Sequence, residues 1–220
     1  MKFNVNQKDL QSSLNYCQGV IEKRSTLPIL SNVLLEAKDE NLKITATDLD
    51  LIFIQNISNI EISEEGETTT SCSIMYDIVR KFNNEKKINF NLVSENKINL
   101  ESDKSSFNLN CLKASEFPIT EANFRENEFS LNSKKLLKLL NKCKFSVSND
   151  ETRHYLSGIF LHLTEKENKN FLTAVATDSH RMGISKTLLS EEIKFEPIIL
   201  PKKTIFQLCA LLDDYDGDVK

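Results

Sequence analysis

The sequence has few of the residues that mark disulfide-rich, metal-binding or membrane proteins. Its five cysteines are widely spaced, odd in number and never form C-x-x-C, which argues against a disulfide framework or a zinc site. Five glycines and four prolines argue against long flexible linkers. The apolar runs are far shorter than a membrane span, and the opening MKFNVNQKDL lacks the apolar core of a signal peptide. We therefore expect a cytoplasmic protein without a membrane partner.

The sequence also lacks a strong net charge. The formal charge is −4, so no overall attraction to nucleic acid follows, and any such partner must be recognised by local clusters. The apolar fraction of 40% and the charged fraction of 27% are ordinary for a globular protein. A chain of 220 residues is long enough for one or two domains, each with a buried core.

One order of features occurs twice along the chain. The segments that start at Asn6 and Asn132 both place a polar residue before an amphipathic helix that ends near a cysteine. An arginine-containing loop, a strand with Leu-Ser, a charged turn and a second strand then follow, and both second strands end in Ala-Thr-Asp, at Asp48 and Asp178. The second copy is slightly longer, and we expect its insertion in the charged turn, where insertions are best tolerated. The sequence therefore predicts a duplicated fold.

Each copy is predicted to consist of a strand, a helix and then several strands. The first helix carries Leu10, Leu14, Cys17 and Ile21 on one face. A second helix over 73–82 is expected to bury Ile74, Ile78 and Phe82. The further strands predicted in the first copy lie at 29–37, 41–48, 50–58, 87–93, 97–103 and 105–112, with a hairpin turn at 39–41. The predicted fold class is α+β, with antiparallel sheets and helices on one side.

The repeat divides the chain into two predicted domains, 1–122 and 128–220. The second helix of the second copy begins near Pro201, a residue that suits the first turn of a helix. After this helix the first copy continues with about thirty residues of strand, whereas the second copy stops soon at Lys220. We therefore expect the second domain to be incomplete.

The clearest local charge cluster lies on the helix that starts at Ser133. At 100° per residue its four lysines fall on one side, while leucines and a cysteine occupy the others; the lysines are Lys134, Lys135, Lys138 and Lys142. No acidic residue occurs between Phe129 and Asn149. Like charges four residues apart repel one another, so a purely cationic face favours a polyanionic partner. An ordinary solvated lysine-rich helix is the alternative.

Other helices carry basic residues, while acidic residues gather in turns. The remaining basic positions near predicted helices are Lys8, Lys23, Arg24, Arg80, Lys81, Lys202 and Lys203. Such a distribution suits contacts to DNA phosphates, which would be independent of sequence and sensitive to salt.

Six motifs, read in order, resemble the beta sliding clamp family, the processivity subunits of bacterial replicative DNA polymerases. They are MKF, RSTLPILSNVLL, TATDLDL, RHYLSGIFL, VATDSHRM and ILPKK. The resemblance implies three similar domains, of which this chain would hold the first and most of the second, with the third absent. It further implies a head-to-tail homodimeric ring, with helices lining the hole and sheets outside. The implied protein is a non-catalytic subunit of the polymerase holoenzyme, needs no cofactor, and is associated with the nucleoid.

The resemblance also implies two binding surfaces. Positions that match DNA-contacting residues are Arg24, Arg80, His154, Tyr155 and Lys202, to which we add Lys203 and the four lysines of the Ser133 helix. His154 replaces a usual tyrosine, and Asp150 stands where a neutral polar residue is common. Double-stranded DNA would be held without sequence preference.

The second implied surface is a groove for short linear peptides of the polymerase catalytic subunit, the clamp loader and repair proteins. Its matching positions are Arg153, Leu156, Thr177, Ser179, His180, Arg181 and Met182. Leu156 and Met182 would give an apolar floor, because methionine adapts to several partners. Ser179 stands where the family often has glycine.

The edge of a cross-subunit strand pairing is implied at Phe107 and Leu109. Both residues alternate along the last strand of the first domain, so ordinary core positions are the alternative.

Three other functions compete with this interpretation. Asp178, Ser179 and His180 are the residue types of a hydrolase relay, but consecutive residues of a strand point to opposite faces and cannot converge. A metal site from His154, His162 and His180 has no ligand spacing to support it, and His180 could equally be a surface histidine. Asp48 is expected to form a turn by accepting backbone N–H bonds. A repeat protein that does not bind DNA is the third alternative.

Overall fold

The computed structural model describes residues 1–23, 26–83, 86–119, 129–150, 152–189, 193–194 and 196–220. The chain divides into two compact units, Met1–Glu121 and Ala122–Lys220. Each unit has its own apolar core, built from two helices that pack against antiparallel strands. The predicted α+β class with repeated strand-helix-strands organisation is confirmed.

The described residues of unit 1 form nine strands and two α-helices. In chain order they are β1 (Lys2–Asn6), α1 (Gln7–Val20), β2 (Asn32–Lys38), β3 (Asn41–Thr47), β4 (Ile52–Ser58), β5 (Glu61–Glu64), β6 (Gly66–Ser71), α2 (Cys72–Val79), β7 (Lys87–Ser94), β8 (Lys97–Ser102) and β9 (Ser105–Leu112). The nine strands form one sheet in the order β4-β3-β2-β6-β9-β8-β7-β1-β5. Leu10, Leu14 and Cys17 of α1 lie in the same core as Met75 and Val79 of α2.

Unit 2 repeats this arrangement over a shorter length. Its elements are β10 (Leu131–Asn132), α3 (Ser133–Asn141), β11 (Gly158–Lys166), β12 (Lys169–Thr177), β13 (Met182–Leu188), β14 (Ile198–Pro201), α4 (Lys202–Asp213) and β15 (Asp218–Val219). A four-stranded sheet has the order β13-β12-β11-β14, and β10 pairs with β15. Within the described ranges, no helix is both long and apolar enough to cross a membrane.

Three strand pairings of unit 1 have counterparts in unit 2. The β2–β3, β3–β4 and β2–β6 pairs of unit 1 match β11–β12, β12–β13 and β11–β14 of unit 2, all antiparallel. Both first helices begin at an asparagine: Asn6 Oδ1 accepts from Lys8 N at 3.0 Å, and Asn132 Oδ1 accepts from Lys134 N at 3.2 Å. These are N-caps, which satisfy a backbone donor at the start of a helix. The duplication predicted from the sequence is therefore present in the fold.

The extra length of the second copy does not lie where the sequence suggested. Both hairpins turn through two residues in the left-handed region, Asp39 and Glu40 in unit 1 and Glu167 and Asn168 in unit 2. Two-residue turns of this kind match the twist of the flanking strands. The insertion therefore lengthens β11 and β12, and the expectation of a longer turn was wrong.

Three local predictions for unit 1 also need correction. The strand expected from residue 29 begins only at Asn32, because Pro28–Ser31 form a short 3-10 helix. In α2, Ile74 is 54% exposed, so its expected burial was wrong; Met75 and Val79 are fully buried instead. Ile78 and Phe82 are partly buried against the core, as expected in direction. Strands β5 and β6 were not predicted at all.

The Ala-Thr-Asp motif forms the same turn in both units. Asp48 Oδ1 accepts from the backbone N–H groups of Asp50 and Leu51 at 3.1 and 2.7 Å, as predicted for this acid. The following residue, Leu49, has a φ of 82° and donates its N–H to Thr47 Oγ1 at 3.0 Å. In unit 2 the corresponding residue, Ser179, has a φ of 75°. The backbone of this turn is thus held by its own threonine and aspartate side chains.

Replacing Leu49 with glycine is expected to stabilise unit 1 by about 0.5–1 kcal/mol. A left-handed conformation costs about 1–2 kcal/mol for a residue with a Cβ, and the greater chain entropy of glycine offsets part of that gain. Leu49 is 53% exposed, so little packing is lost. Chemical denaturation with hydrogen exchange resolved to each unit would measure the change. Ser179→Gly is the matched comparison and should gain less, because Ser179 Oγ accepts a bond from Arg153; an unchanged or lower stability of Leu49→Gly would contradict the expectation.

Candidate functional site

The cationic helix predicted from Ser133 is α3. Leu139, Leu140 and Cys143 are buried in the core of unit 2, and all four predicted lysines are exposed. Lys142 is the C-cap residue, just beyond the last turn. Helix α3 and its C-cap residue therefore present positive charge to solvent, on the side opposite the core residues.

The four lysines are divided between two neighbours. Lys134 Nζ donates to the backbone oxygen of Asp213, at the end of α4, at 3.3 Å. The other three line a cavity of about 360 Å³ beside β13, together with Lys186. The corresponding cavity of unit 1 lies between α1 and β4 and is lined by uncharged or acidic residues, namely Asp9, Ser12, Ser13, Tyr16, Gln55, Asn56, Ile57 and Ser58. The positive charge is thus a property of unit 2 and not of the shared fold.

A second basic cluster of unit 2 lies at the start of α4. Lys202 N donates to the backbone oxygen of Ser157 at 3.0 Å, which fixes the helix start against the turn that carries His154 and Tyr155. Lys202 Nζ also donates to Asn149 Oδ1, in the loop after α3. Lys202 and Lys203 line a cavity of about 460 Å³ with residues of this loop. The structure therefore brings the predicted DNA-contacting residues of the two segments together.

Tyr155 is the most exposed aromatic side chain of this region, at 67%. His154 is also exposed and lies beside it in a short 3-10 helix, His154–Leu156.

Of the two predicted arginines of unit 1, only one can be placed. Arg80 is the C-cap residue of α2, where its guanidinium lies 3.0 Å from Asp77 Oδ1 and 5.9 Å from the centre of the Tyr76 ring. Arg24 lies outside the described residues.

The predicted peptide-binding residues gather around the turn of unit 2. Arg153 Nη1 donates to Ser179 Oγ at 2.9 Å, and Thr177 Oγ1 donates to the backbone oxygen of Arg181 at 2.8 Å. Asp178 Oδ1 accepts from the backbone N–H groups of His180 and Arg181, both at 3.0 Å. One hydrogen-bonded network therefore joins five predicted positions, of which Arg153 is distant in sequence from the other four.

Apolar surface adjoins this network. Met182 is 59% exposed at the start of β13, and Leu156 is half-buried. Phe145, which the sequence reading missed, is 53% exposed, and the Arg181 guanidinium lies 5.7 Å from its ring centre. A single exposed phenylalanine after an amphipathic helix resembles a core residue in sequence, so only the fold reveals it.

Two aspartates hold the arginines of this network in place. Asp150 Oδ2 accepts from Arg153 Nε at 2.8 Å, and Asp178 Oδ2 accepts from Arg181 Nε at 3.0 Å. The hydroxyl and backbone N–H of Thr152, followed by Arg153, lower the pKa of Asp150. The backbone N–H groups of His180 and Arg181 lower the pKa of Asp178. Asp150, which departs from the family pattern, therefore has a local structural role here.

The lowered pKa of Asp178 predicts a pH-dependent loss of stability. Because the carboxylate is favoured in the folded state, its contribution is present above the unfolded pKa of about 3.9 and is lost as the pH falls through the folded value. Asp178→Asn should be less stable than the natural protein at pH 7, and the difference should shrink at pH 3. Urea unfolding of both proteins at the two pH values measures this. Glu167→Gln, on the exposed β11–β12 turn, is the control; a difference that stays constant with pH would contradict the linkage.

The geometry does not form a hydrolase relay. Asp178 directs its oxygens at backbone N–H groups and at Arg181, and Ser179 Oγ accepts from Arg153. Among the residues that the structure describes, no group of three or more histidines, cysteines and acids could hold a metal ion.

The predicted dimer edge is only partly accessible. Leu109 is buried in the core of unit 1, whereas Phe107 is 41% exposed and packs on Phe82, with ring centres 5.9 Å apart. Among the described strands, β6 reaches β9 only at Cys111 and Leu112. Of the strands that the structure describes, none pairs with the far edge of β9 between Ser105 and Leu109, so this part of the edge can accept another strand.

Comparison with known proteins gives matches along nearly the whole chain. The model of the DNA polymerase III beta subunit N-terminal domain matches residues 1–121, and the model of its central domain matches 130–220. The beta sliding clamp of Caulobacter vibrioides is 31% identical over 215 residues, which are 97% of this chain and 58% of that protein.

Solved structures agree with these matches. Pol III beta of Caulobacter crescentus aligns with a TM-score of 0.93 at 30% identity, over 99% of this chain and 59% of that one. The sliding clamp of Bartonella birtlesii bound to griselimycin aligns with a TM-score of 0.92 at 32% identity, over 99% and 58%. The chain therefore spans less than two thirds of the length of the proteins it matches.

Proposed function

The chain belongs to the DNA polymerase III beta subunit family, the beta sliding clamps, and we propose that it forms part of a ring that encircles duplex DNA. In this role it is a processivity factor, a non-catalytic subunit that tethers the replicative polymerase and other DNA-processing proteins to the chromosome. Duplex DNA would be held through its phosphates and without sequence preference.

The observation that carries this proposal is the charge of unit 2. Four exposed lysines lie on α3 and its C-cap, and Lys202 and Lys203 lie at the start of α4, which packs beside α3. Lysine ammonium groups neutralise phosphates as point charges on flexible side chains, and such phosphate contacts carry no sequence information. Contacts of this kind suit a protein that must hold DNA and still slide along it.

The test is duplex binding as a function of salt. Fluorescence anisotropy with two labelled duplexes of unrelated sequence should give the same affinity for both. The logarithm of that affinity should fall linearly with the logarithm of the salt concentration, as phosphate neutralisation requires. A clear preference for one sequence, or binding that does not depend on salt, would contradict the proposal.

We further propose that the network around Asp178 receives short linear peptides of the polymerase, the clamp loader and repair proteins. Arg153, Thr177 and Arg181 supply polar groups, and Met182 and Phe145 supply adjoining exposed apolar surface. Since griselimycin binds the Bartonella birtlesii clamp, it serves as a probe: it should displace a labelled polymerase-derived peptide from this chain. Peptide binding that griselimycin leaves unchanged would count against a shared groove.

The ring itself is proposed as a head-to-tail homodimer, with the open edge of β9 near Phe107 as one of the pairing strands. An open edge offers unpaired backbone groups that a strand of a second subunit can satisfy. Protein in such a ring should stay on a circular plasmid during gel filtration and leave it after linearisation. Equal retention on both forms of DNA would speak against encirclement.

A further inference from the structure

The cavity at the start of α4 contains one aromatic side chain among polar and basic residues. Phe206 lines it together with Lys202, Lys203, Asn149 and Gln207, and the side chain of Phe206 is 48% exposed. The volume of this cavity, about 460 Å³, lies within the range of pockets that hold small organic ligands, about 300–1,000 Å³. An exposed phenylalanine on the polar side of a helix adds nothing to the core, so its exposed ring face is available to a ligand.

Basic side chains surround this aromatic ring on more than one side. Lys144 Nζ lies 6.0 Å from the centre of the Phe206 ring, and it comes from the segment after α3. Lys202 and Lys203 line the same cavity from the first turn of α4. Aromatic faces between lysines are the combination that proteins use for single-stranded nucleic acid, where bases stack on the ring and phosphates meet the charges.

The amide groups of the cavity suit the edge of a base. Gln207 carries both a donor and an acceptor, and Asn149 keeps its amide N–H donors although its oxygen accepts from Lys202. Bases in a duplex are stacked on one another, so their faces cannot reach Phe206. Only an unpaired base can use the whole cavity.

The duplicate of this position in unit 1 provides an internal comparison. Tyr76 of α2 corresponds to Phe206, but it is half-buried and its hydroxyl donates to Asn15 Oδ1 at 3.3 Å. Beside it, Gln18 joins α1 to α2 through bonds to Ser73 Oγ at 3.2 Å and Cys72 Sγ at 3.4 Å. In unit 2 the matching places are taken by Lys144, Lys203 and Lys202. The fold alone therefore does not produce an open basic cavity with an exposed ring.

We propose that the cavity around Phe206 binds one unpaired base of single-stranded DNA, with Phe206 as the stacking surface and Lys144, Lys202 and Lys203 as contacts to the neighbouring phosphates. The inference rests on the proposed DNA-binding function, because the same lysines serve both. It adds a preference that phosphate contacts alone cannot give: the protein distinguishes strands with accessible bases from duplexes. Such a preference would place the clamp where duplex and single strand meet.

The test compares three labelled oligonucleotides of about 16 nucleotides, a length that covers a single-strand site. They are a single strand of thymidylates, an abasic single strand with the same phosphates, and a duplex. Fluorescence anisotropy at low salt should show the thymidylate strand bound about tenfold more tightly than the abasic strand, as expected for the stacking of one base. Phe206→Ala should abolish that difference and leave abasic and duplex binding unchanged.

Two further variants sharpen the result. Phe206→Trp should keep the preference for bases, since it keeps an aromatic face. Phe160→Ala removes a phenylalanine that is 39% exposed on β11 of the same unit, outside the cavity, and should change none of the three affinities. Equal affinity of the natural protein for thymidylate and abasic strands would overturn the proposal, as would a Phe206→Ala variant that keeps the difference. If the natural protein did not bind the duplex but still preferred the thymidylate strand over the abasic strand, only the proposed duplex function would be refuted.

Discussion

Reversing the charge of Lys134 and Lys138 together is expected to weaken duplex DNA binding about tenfold or more at low salt. Both side chains are exposed, and on the helix wheel they lie most nearly opposite the buried Leu140 and Cys143. Each lost phosphate contact should also reduce the slope of log affinity against log salt by about one. Lys134→Glu/Lys138→Glu should therefore bind more weakly and show a slope smaller by about two.

A variant with the same change of charge elsewhere separates contact from net charge. Lys166→Glu/Lys169→Glu alters two lysines that flank the β11–β12 turn of the same unit, where Lys166 is 74% exposed. Its affinity should fall far less, and the salt slope should stay that of the natural protein. Equal losses for the two double variants would show that only the overall charge matters and would remove α3 as the contact surface.

Gly158→Ala is expected to destabilise unit 2 by about 2–3 kcal/mol, in the range of an overpacked core. A Cβ at this position would lie 2.3 Å from the backbone oxygen of Leu200 and 2.6 Å from Ile199 Cγ2. Gly158 pairs with Pro201 across β11 and β14, so the backbone of β14 must move to relieve the overlap. Since α4 starts directly after Pro201, the displacement should reach Lys202 and Lys203 and weaken DNA binding as well.

Gly217→Ala is the matched control in the same unit. There the added Cβ would meet the ring of Tyr215, which is 48% exposed and can turn away at the loss of one 3.4 Å hydrogen bond to the backbone oxygen of Asp218. Hydrogen exchange followed by mass spectrometry can resolve the two units during denaturation. Gly158→Ala should lower protection in unit 2 and leave unit 1, which has its own core, unaffected. A loss below about 0.5 kcal/mol would mean that β14 yields without cost.

The parts of the fold that sequence predicted well are those that short-range chemistry decides. The N-cap asparagines, the hairpin turn and the aspartate turn at Asp48 each depend on groups within three residues of one another. The buried side of α2 does not. Ile74 and Met75 each lie four residues before another apolar residue, so periodicity cannot tell which of the two is buried. Packing in unit 1 buries Met75 and leaves Ile74 exposed.

Strands β5 and β6 were not predicted, because their strand structure also depends on packing and not on a local pattern. Residues 61–71 are dominated by glutamates and threonines, so the usual apolar alternation is missing. Thr68, Thr69 and Thr70 are nevertheless buried, because pairing with β2 and side-chain hydrogen bonds such as Thr69 Oγ1 to the backbone oxygen of Leu112 satisfy them. Only the complete sheet makes β6 a central strand and β5 the edge strand beside β1.

In the candidate sites, too, the sequence predicts contiguous motifs but not contacts between distant segments. Residues 177–182 are contiguous, so a motif could find them, whereas the bond between Arg153 and Ser179 requires two segments to meet in space. Phe206 was absent from the predicted site because an aromatic residue in an amphipathic helix is usually a core residue. Its exposure and the lysines around it became visible only with the packing of α4.

The aspartate turn explains how two copies of one fold could acquire different tasks. The side chains of the Thr-Asp pair fix the backbone of the turn. The side chains of the three residues that follow are therefore not needed to form it. The turn can therefore hold different triplets, as it does with Leu49-Asp50-Leu51 and Ser179-His180-Arg181. Evolution could rewrite either triplet without refolding the hairpin, and a protein engineer who grafts new recognition sequences onto this position should find the same tolerance.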